Sequence, residues 1–207
     1  SKRNTASAVL ASSLIKEIPE KQPLLFLPAD QLMEKKNIFN KVINKNQINL
    51  TNQNIFIFGI KPNNPSSKYG YFLTKKVKKN LDKVTKFIEK PNKSRAKMII
   101  KKKGCWNSGI FFMRKDSILN NFKKYQPVIY KHCLEAMTKS NFKKNIYHLN
   151  KNSFNKNTSK SFDVAILEKS KQVNAIKLKT PWSDLGSWSE ICKMYNRDKS
   201  RYFDKKN

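Results

Sequence analysis

Two aspartates, far apart in the chain, stand where a carboxylate needs explaining. Asp30 closes "PLLFLPAD", just past a short apolar run, and Asp184 lies in "KTPWSDLGSWSEI" among two tryptophans and a glycine. As a pair without histidine or cysteine they suit a hard, oxygen-seeking cation such as Mg2+, shared with substrate phosphates. Taken singly, Asp30 reads as a helix N-cap and Asp184 as a turn former. "EKP" sets Glu89 and Lys90 at a strand end, where an ammonium can meet phosphate as a point charge. "WNSG" offers Asn107, whose amide donates and accepts as a sugar hydroxyl requires, or simply makes a turn. Gly70 in "KYGYF" leaves room for a ligand to approach the backbone, or turns the chain. No nucleophile has a paired base. Cys105, Cys133 and Cys192 are widely spaced, form no C-x-x-C, and have no ligand spacing with His132 or His148. That excludes a zinc site and a disulfide scaffold.

The elements that must position these residues alternate. "NTASAVLASSLIKEI" carries apolar residues at helical spacing behind Asn4 or Thr5 as cap, predicting a helix from about Ala6 to Glu17. "PLLFLPAD" is a continuously apolar strand of the kind found in parallel sheets covered on both faces. "EKKNIFNKVINK" is helical and "NQNIFIFGI" is a second buried strand. A loop, "KPNNPSSKYGYF", precedes a strand "KVTKFIEKP", a helix "NKSRAKMIIKKK" and the turn-to-strand segment "GCWNSGIFFM". "KDSILNNFKKY" and "PVIYKHCLEAMTKS" are helices with lysine on their outer faces, and "NKNSFNKNTSK" is a polar loop before the structured "SFDVAILEKS". "KQVNAIKLK" is a strand, and a short helix begins near Trp188. This alternation predicts an α/β doubly wound sheet with ligands at the carboxyl ends of its strands.

The chain has 207 residues and a formal charge of +30. Its apolar blocks exclude a disordered polypeptide. No apolar run is long enough to span a bilayer, and no signal-peptide pattern opens the chain, so a cytoplasmic protein without membrane partners is expected. The charge points toward nucleic acid, but nearly all of it is lysine, with arginine scarce and asparagine abundant. Drift of solvated positions in an AT-rich genome produces both excesses, so no nucleic-acid partner is expected.

In order, "NTASAVLA", "LFLPAD", "FIFGIKPNNP…YGYF", "VTKFIEKPN", "WNSGIFF", "SFDVAILEKS" and "WSDLGSW" resemble the mannose-1-phosphate guanylyltransferases, or GDP-mannose pyrophosphorylases. The resemblance is to the bacterial form often fused to a phosphomannose isomerase and runs from Arg3 to about Arg197. It implies a Rossmann-like nucleotide-diphospho-sugar transferase fold, with a mixed, mostly parallel sheet flanked by helices. It further implies that GTP and mannose 1-phosphate give GDP-mannose and diphosphate with Mg2+ as cofactor. Asp30 and Asp184 then become the catalytic, metal-binding pair, steadied by Trp182 and Trp188. Lys90 grips the sugar phosphate, Glu89 and Asn107 face sugar hydroxyls, and Gly70 lines the sugar pocket. Asp163 and Lys169 lie in a matching segment without an assigned role.

The departures are as specific. The family's glycine-rich nucleotide loop and first strand have no counterpart here, so an unpaired sheet edge or a gap is expected. Gln31 stands where the family has histidine after "PAD", and "SSK" replaces the usual residues before "YGY". The expected organisation is a partial nucleotidyltransferase domain over 1–197 and a frayed tail over 198–207. It would turn over little alone, working as a homo-oligomer or with a companion N-terminal polypeptide. Two other readings stand beside it: a related transferase for another sugar or base, and a basic, non-catalytic polyanion binder.

Overall fold

A computed structural model describes residues 3–78, 81–186, 188 and 191–192. Helix α1 (Asn4–Ser13) buries Ala6, Val9 and Leu10. It ends earlier than its apolar pattern suggests, because the following turn is held from outside: the buried Lys115 ammonium donates to the carbonyls of Ile15 and Ile18. Strand β1 (Pro23–Phe26) leads past Asp30 to the two-residue strand β2 (Leu32–Met33) and helix α2 (Lys36–Asn46). Strand β3 (Ile55–Ile60) is buried throughout, and strands β4 (Tyr71–Lys78) and β5 (Leu81–Ile88) pair antiparallel. Helix α3 (Lys93–Lys101) starts on Asn92, whose side chain accepts from the Arg95 N–H as an N-cap should. Strand β6 (Cys105–Arg114) runs into α4 (Lys115–Tyr125), and α5 (Pro127–Thr138) opens with proline in its first turn.

A small hairpin of β7 (Asn141–Lys143) and β8 (Ile146–His148) follows. Helix α6 (Lys151–Asn155) occupies part of what reads as a polar loop, nucleated by the Asn150 side chain accepting from Ser153 N–H. Asp163–Leu167 forms a single π-helical turn, and strands β9 (Val173–Lys177) and β10 (Trp182–Ser183) close the described fold. Trp188, Ile191 and Cys192 are helical, while the expected frayed tail lies outside the described residues.

The main sheet has the order β1-β6-β3-β9-β5-β4. Successive side chains of β3 enter opposite layers. Ile55 and Ile57 join Val9, Leu10, Ile118, Phe122 and Phe162 on the α1, α4 and α5 side. Phe56 and Phe58 join Phe39, Ala96 and Ile99 on the α2 and α3 side. The α/β architecture and mixed sheet are as expected. Among the described residues, however, the only parallel pairing in that sheet is β3 with β9, which corrects the expectation of a mostly parallel sheet. A continuous apolar run reports that both faces are covered; it carries no information on strand direction. β1 pairs antiparallel with β6 and has no other ladder partner among the described residues. Its Leu24 and Phe26 pack into one layer and Leu25 into the other.

Candidate active site

Three strand ends converge at Tyr71. Along β4 this residue pairs with both Ile88 of β5 and Trp106 of β6. The residues just beyond those pairs, Gly70, Glu89 and Asn107, must therefore meet. Asn107 N–H donates to the Gly70 carbonyl at 2.8 Å, and a Cβ placed on Gly70 would stand 2.7 Å from Glu89 Oε2 and 3.6 Å from Asn107 Cβ. Only a residue without a side chain lets the Glu89 carboxylate lie over this backbone.

The π-helical turn adds a further carboxylate. Asn107 Nδ2 donates to Asp163 Oδ1 at 2.6 Å, which fixes the orientation of the amide. Glu168, just past the same turn, accepts from the Glu89 N–H at 3.3 Å. Lys90 has a left-handed backbone (φ 43°), and its ammonium lies 4.0 Å from Glu89 Oε1 while staying largely exposed. Burial, reinforced by the Asp163 carboxylate, pushes the Glu89 carboxyl up to about 7, against the pull of Lys90. Burial also raises Asp163, opposed by its own backbone and Asn107 hydrogen bonds. A carboxyl, a carboxylate, an amide and an exposed ammonium around a bare glycyl backbone form a surface for hydroxyls beside an anion. Asp163 and Glu168 enter the cluster through chain-distant contacts. The only sequence signal for them was their place in "FDVAILEK". Lys169 is exposed.

The second centre forms beside the first. β10 pairs antiparallel with β2, Trp182 opposite Met33 and Ser183 opposite Leu32. One step further, this register sets Asp184 across from Gln31, with Asp30 next in the chain. Asp30 is exposed and Asp184 half-buried, and Asp184 Oδ1 accepts from Gly186 N–H at 3.2 Å. Trp182 packs against Tyr69 and Trp106 at ring separations of 5.6 and 6.5 Å. Trp188, expected to steady Asp184 together with it, is 81% exposed.

Among the described residues no group of three or more His, Cys, Asp or Glu side chains gathers as a metal nest. A cation held by Asp30 and Asp184 would take its remaining oxygens from water and substrate. This donor set fits Mg2+, which keeps waters and shares phosphates, and does not fit zinc.

The two centres are joined through β6. Between Ile57↔Phe111 and Gly59↔Asn107, β3 advances two residues while β6 spans four. The excess is a bulge at Ser108–Ile110, where Gly109 takes φ +75°. A bulge of this kind re-aims side chains and releases backbone groups from the ladder. Asn107 thereby faces Asp163, and the Ser108 carbonyl accepts from Gln31 Nε2 at 2.7 Å.

The family described as nucleotidyl transferase matches residues 1–201. The chain belongs to the nucleotidyl transferase family. It is 33% identical over 208 residues to a mannose-1-phosphate guanylyltransferase of Escherichia coli, covering 96% of this chain and 45% of that protein. It is 31% identical to the alginate biosynthesis protein AlgA of Pseudomonas aeruginosa, covering 95% and 42%. Among solved structures it resembles a protein titled mannose-6-phosphate isomerase from Helicobacter pylori. The TM-score is 0.78 at 26% identity, over 88% of this chain and 71% of that one. A mannose-1-phosphate geranyltransferase structure from Thermus thermophilus, at 23% identity, shares the fold with a TM-score of 0.80 over 91% of this chain and 54% of that one. This nucleotidyl transferase chain thus spans under half the length of those two sequence relatives.

Proposed function

We propose that this chain carries the sugar-phosphate and metal portions of a site joining GTP to mannose 1-phosphate, with GDP-mannose and diphosphate as products. The observation that carries the reading is the convergence of Gly70, Glu89 and Asn107 on Tyr71, beside the β2–β10 pairing that sets Asp184 across from the Asp30 loop. In the reaction a sugar-phosphate oxygen forms a bond to the α-phosphorus of GTP, and the bond from that phosphorus to the β-phosphate bridge breaks, releasing diphosphate. The attacking oxygen is already ionised, so no general base is needed, and the described site offers none paired with a nucleophile. Positioning and charge neutralisation remain.

Glu89 and Asn107 orient the sugar hydroxyls, Gly70 gives the ring access to the backbone, and Lys90 meets the sugar phosphate. Asp30 and Asp184 would hold Mg2+, which supplies charge neutralisation at the phosphates when bound. The free thiols Cys105, Cys133 and Cys192 agree with a reducing, cytoplasmic setting. No helix among the described residues is long and apolar enough to cross a membrane.

The test is calorimetric titration of the chain with mannose 1-phosphate, alongside Gly70→Ala. The alanine methyl would displace the flexible end of Glu89 and move the Phe87 ring, 3.1 Å away, by a few tenths of an ångström. The fold should therefore melt within a few degrees of the parent, while affinity falls about tenfold, the equivalent of about 1.4 kcal/mol. No binding to the parent, or equal binding by Gly70→Ala, overturns the sugar-site reading.

A further inference from the structure

The strands whose pairing sets Asp184 across from Gln31 are two residues long each. A ladder this short specifies its register weakly, and a slip of one residue turns every side chain to the other face. The flanking bonds are long: Glu34 N–H to the Pro181 carbonyl at 3.4 Å and Lys35 N–H to Thr180 Oγ1 at 3.3 Å. Gln31 makes shorter ones. Its Oε1 accepts from Trp182 Nε1 at 3.0 Å, and its Nε2 donates to the Ser108 carbonyl at 2.7 Å. The assignment is unambiguous, since an indole N–H can only donate and a carbonyl can only accept.

We propose that Gln31 is a positioning residue, and that its one amide, spanning Trp182 and the bulged carbonyl of Ser108, fixes the register that sets Asp184 beside the Asp30 loop. It rests on the metal reading of Asp30 and Asp184 given above. The three elements it joins are the Asp30 loop, the strand leading into Asp184, and the bulge one residue past Asn107. It therefore also ties the metal side of the site to the sugar side. Gly109 serves the bulge through its φ of +75°; a Cβ there would meet Gln31 Nε2 at 3.8 Å and Pro28 Cγ at 3.5 Å, ordinary contact that leaves the bridge undisturbed. The bridge requires a donor and an acceptor on one short planar group. Methionine lacks the donor and offers only a weak thioether acceptor, glutamate lacks the donor, and neutral histidine has one of each.

The experiment titrates the chain with Mn2+, following the free-ion resonance by electron paramagnetic resonance, and reads the Trp182 indole N–H by 15N NMR. Gln31→Met is expected to weaken Mn2+ binding about tenfold, as loss of a ligand-orienting partner does, and to shift the indole signal. Gln31→His should restore affinity to near the parent's. Trp182→Phe, which keeps the ring stack and deletes the N–H, should reproduce the loss and decides the matter if Gln31→Met does not fold. Asp184→Asn is the control for the underlying reading: if it binds Mn2+ as the parent does, the metal assignment fails and this proposal with it. If Asp184→Asn abolishes binding while folded Gln31→Met or Trp182→Phe binds like the parent, the positioning role alone is overturned.

Discussion

Glu89 shows how much a residue's chemistry depends on its neighbours. Its carboxyl is displaced upward from 4.5 to about 7, first by burial and then by Asp163. A group raised in this way binds its proton more tightly in the folded state than in the unfolded chain. Its contribution to stability is complete below about pH 4.5 and is lost as pH rises through about 7, a change on the order of 3 kcal/mol. Asp163→Asn tests the coupling, because the amide oxygen can still accept from Asn107 while the charge is gone. The Glu89 titration, followed by carboxyl 13C NMR, should move to lower pH. Stability at pH 8 should rise by about 1 kcal/mol, the scale of one pKa unit. An unmoved titration would show that Asp163 does not contribute to the displacement of Glu89. Gly70, Glu89 and Asn107 were legible in the sequence because each sits in a short motif at a strand end. Asp163 as Asn107's partner was not, because their contact crosses 56 positions of sequence. Trp188 misled for the opposite reason: its type suggested burial that its position denies it.

At the scale of elements, the buried strands were readable and the exposed ones were not. β3 advertises itself as an unbroken apolar run, but the outer half of β4 is mostly lysine, and β2 and β10 are too short to show a period of two. Direction was equally hidden, since β6 runs antiparallel to β1, β3 and β4 alike with the same apolar signature a parallel strand would have. The β4–β5 pair also carries a visible conflict. Lys75 lies directly across from Lys83, and burial already depresses the Lys83 ammonium. Like charges opposite one another destabilise a ladder, whereas opposite charges contribute roughly 0.2–1 kcal/mol. Lys75→Glu should therefore stabilise the chain by about 0.5 to 1 kcal/mol in urea unfolding at low salt, with no change in the unfolding slope. A destabilised variant would mean that Lys75 meets an anion that the ladder alone does not reveal. Lys76, the next residue, already faces Asp82, so the expected gain belongs to position 75 and not to lysine removal in general.

The whole molecule carries +30, and where that charge lies bears on what it does. Exposed lysines stand on α2 (Lys36, Lys41), α3 (Lys97, Lys101), α4 (Lys123, Lys124), α5 (Lys131) and the β4–β5 pair (Lys75, Lys76). They therefore occupy both helical layers as well as the sheet edge. A polyanion-binding face would gather lysines on one side, whereas these stand on several faces. A charge so far from zero still has a mechanical consequence, because mutual repulsion works against the compact state and is screened by salt. Ion pairs such as Lys177–Asp82 at 2.7 Å and Lys139–Glu135 at 2.8 Å pull the other way, and salt weakens them too, but exposed pairs contribute little. Repulsion should dominate. Raising NaCl from about 20 to about 500 mM shortens the Debye length from roughly 20 Å to under 5 Å. The melting temperature in scanning fluorimetry should climb by several degrees, at roughly 2–4 °C per kcal/mol for a domain of this size. Sodium glutamate at equal ionic strength should act alike, since screening depends on ionic strength and not on which anion supplies it. A melting temperature that stays flat or falls would show that local ion pairs outweigh the net charge, and the lysine excess would then need a structural role that its distribution does not display.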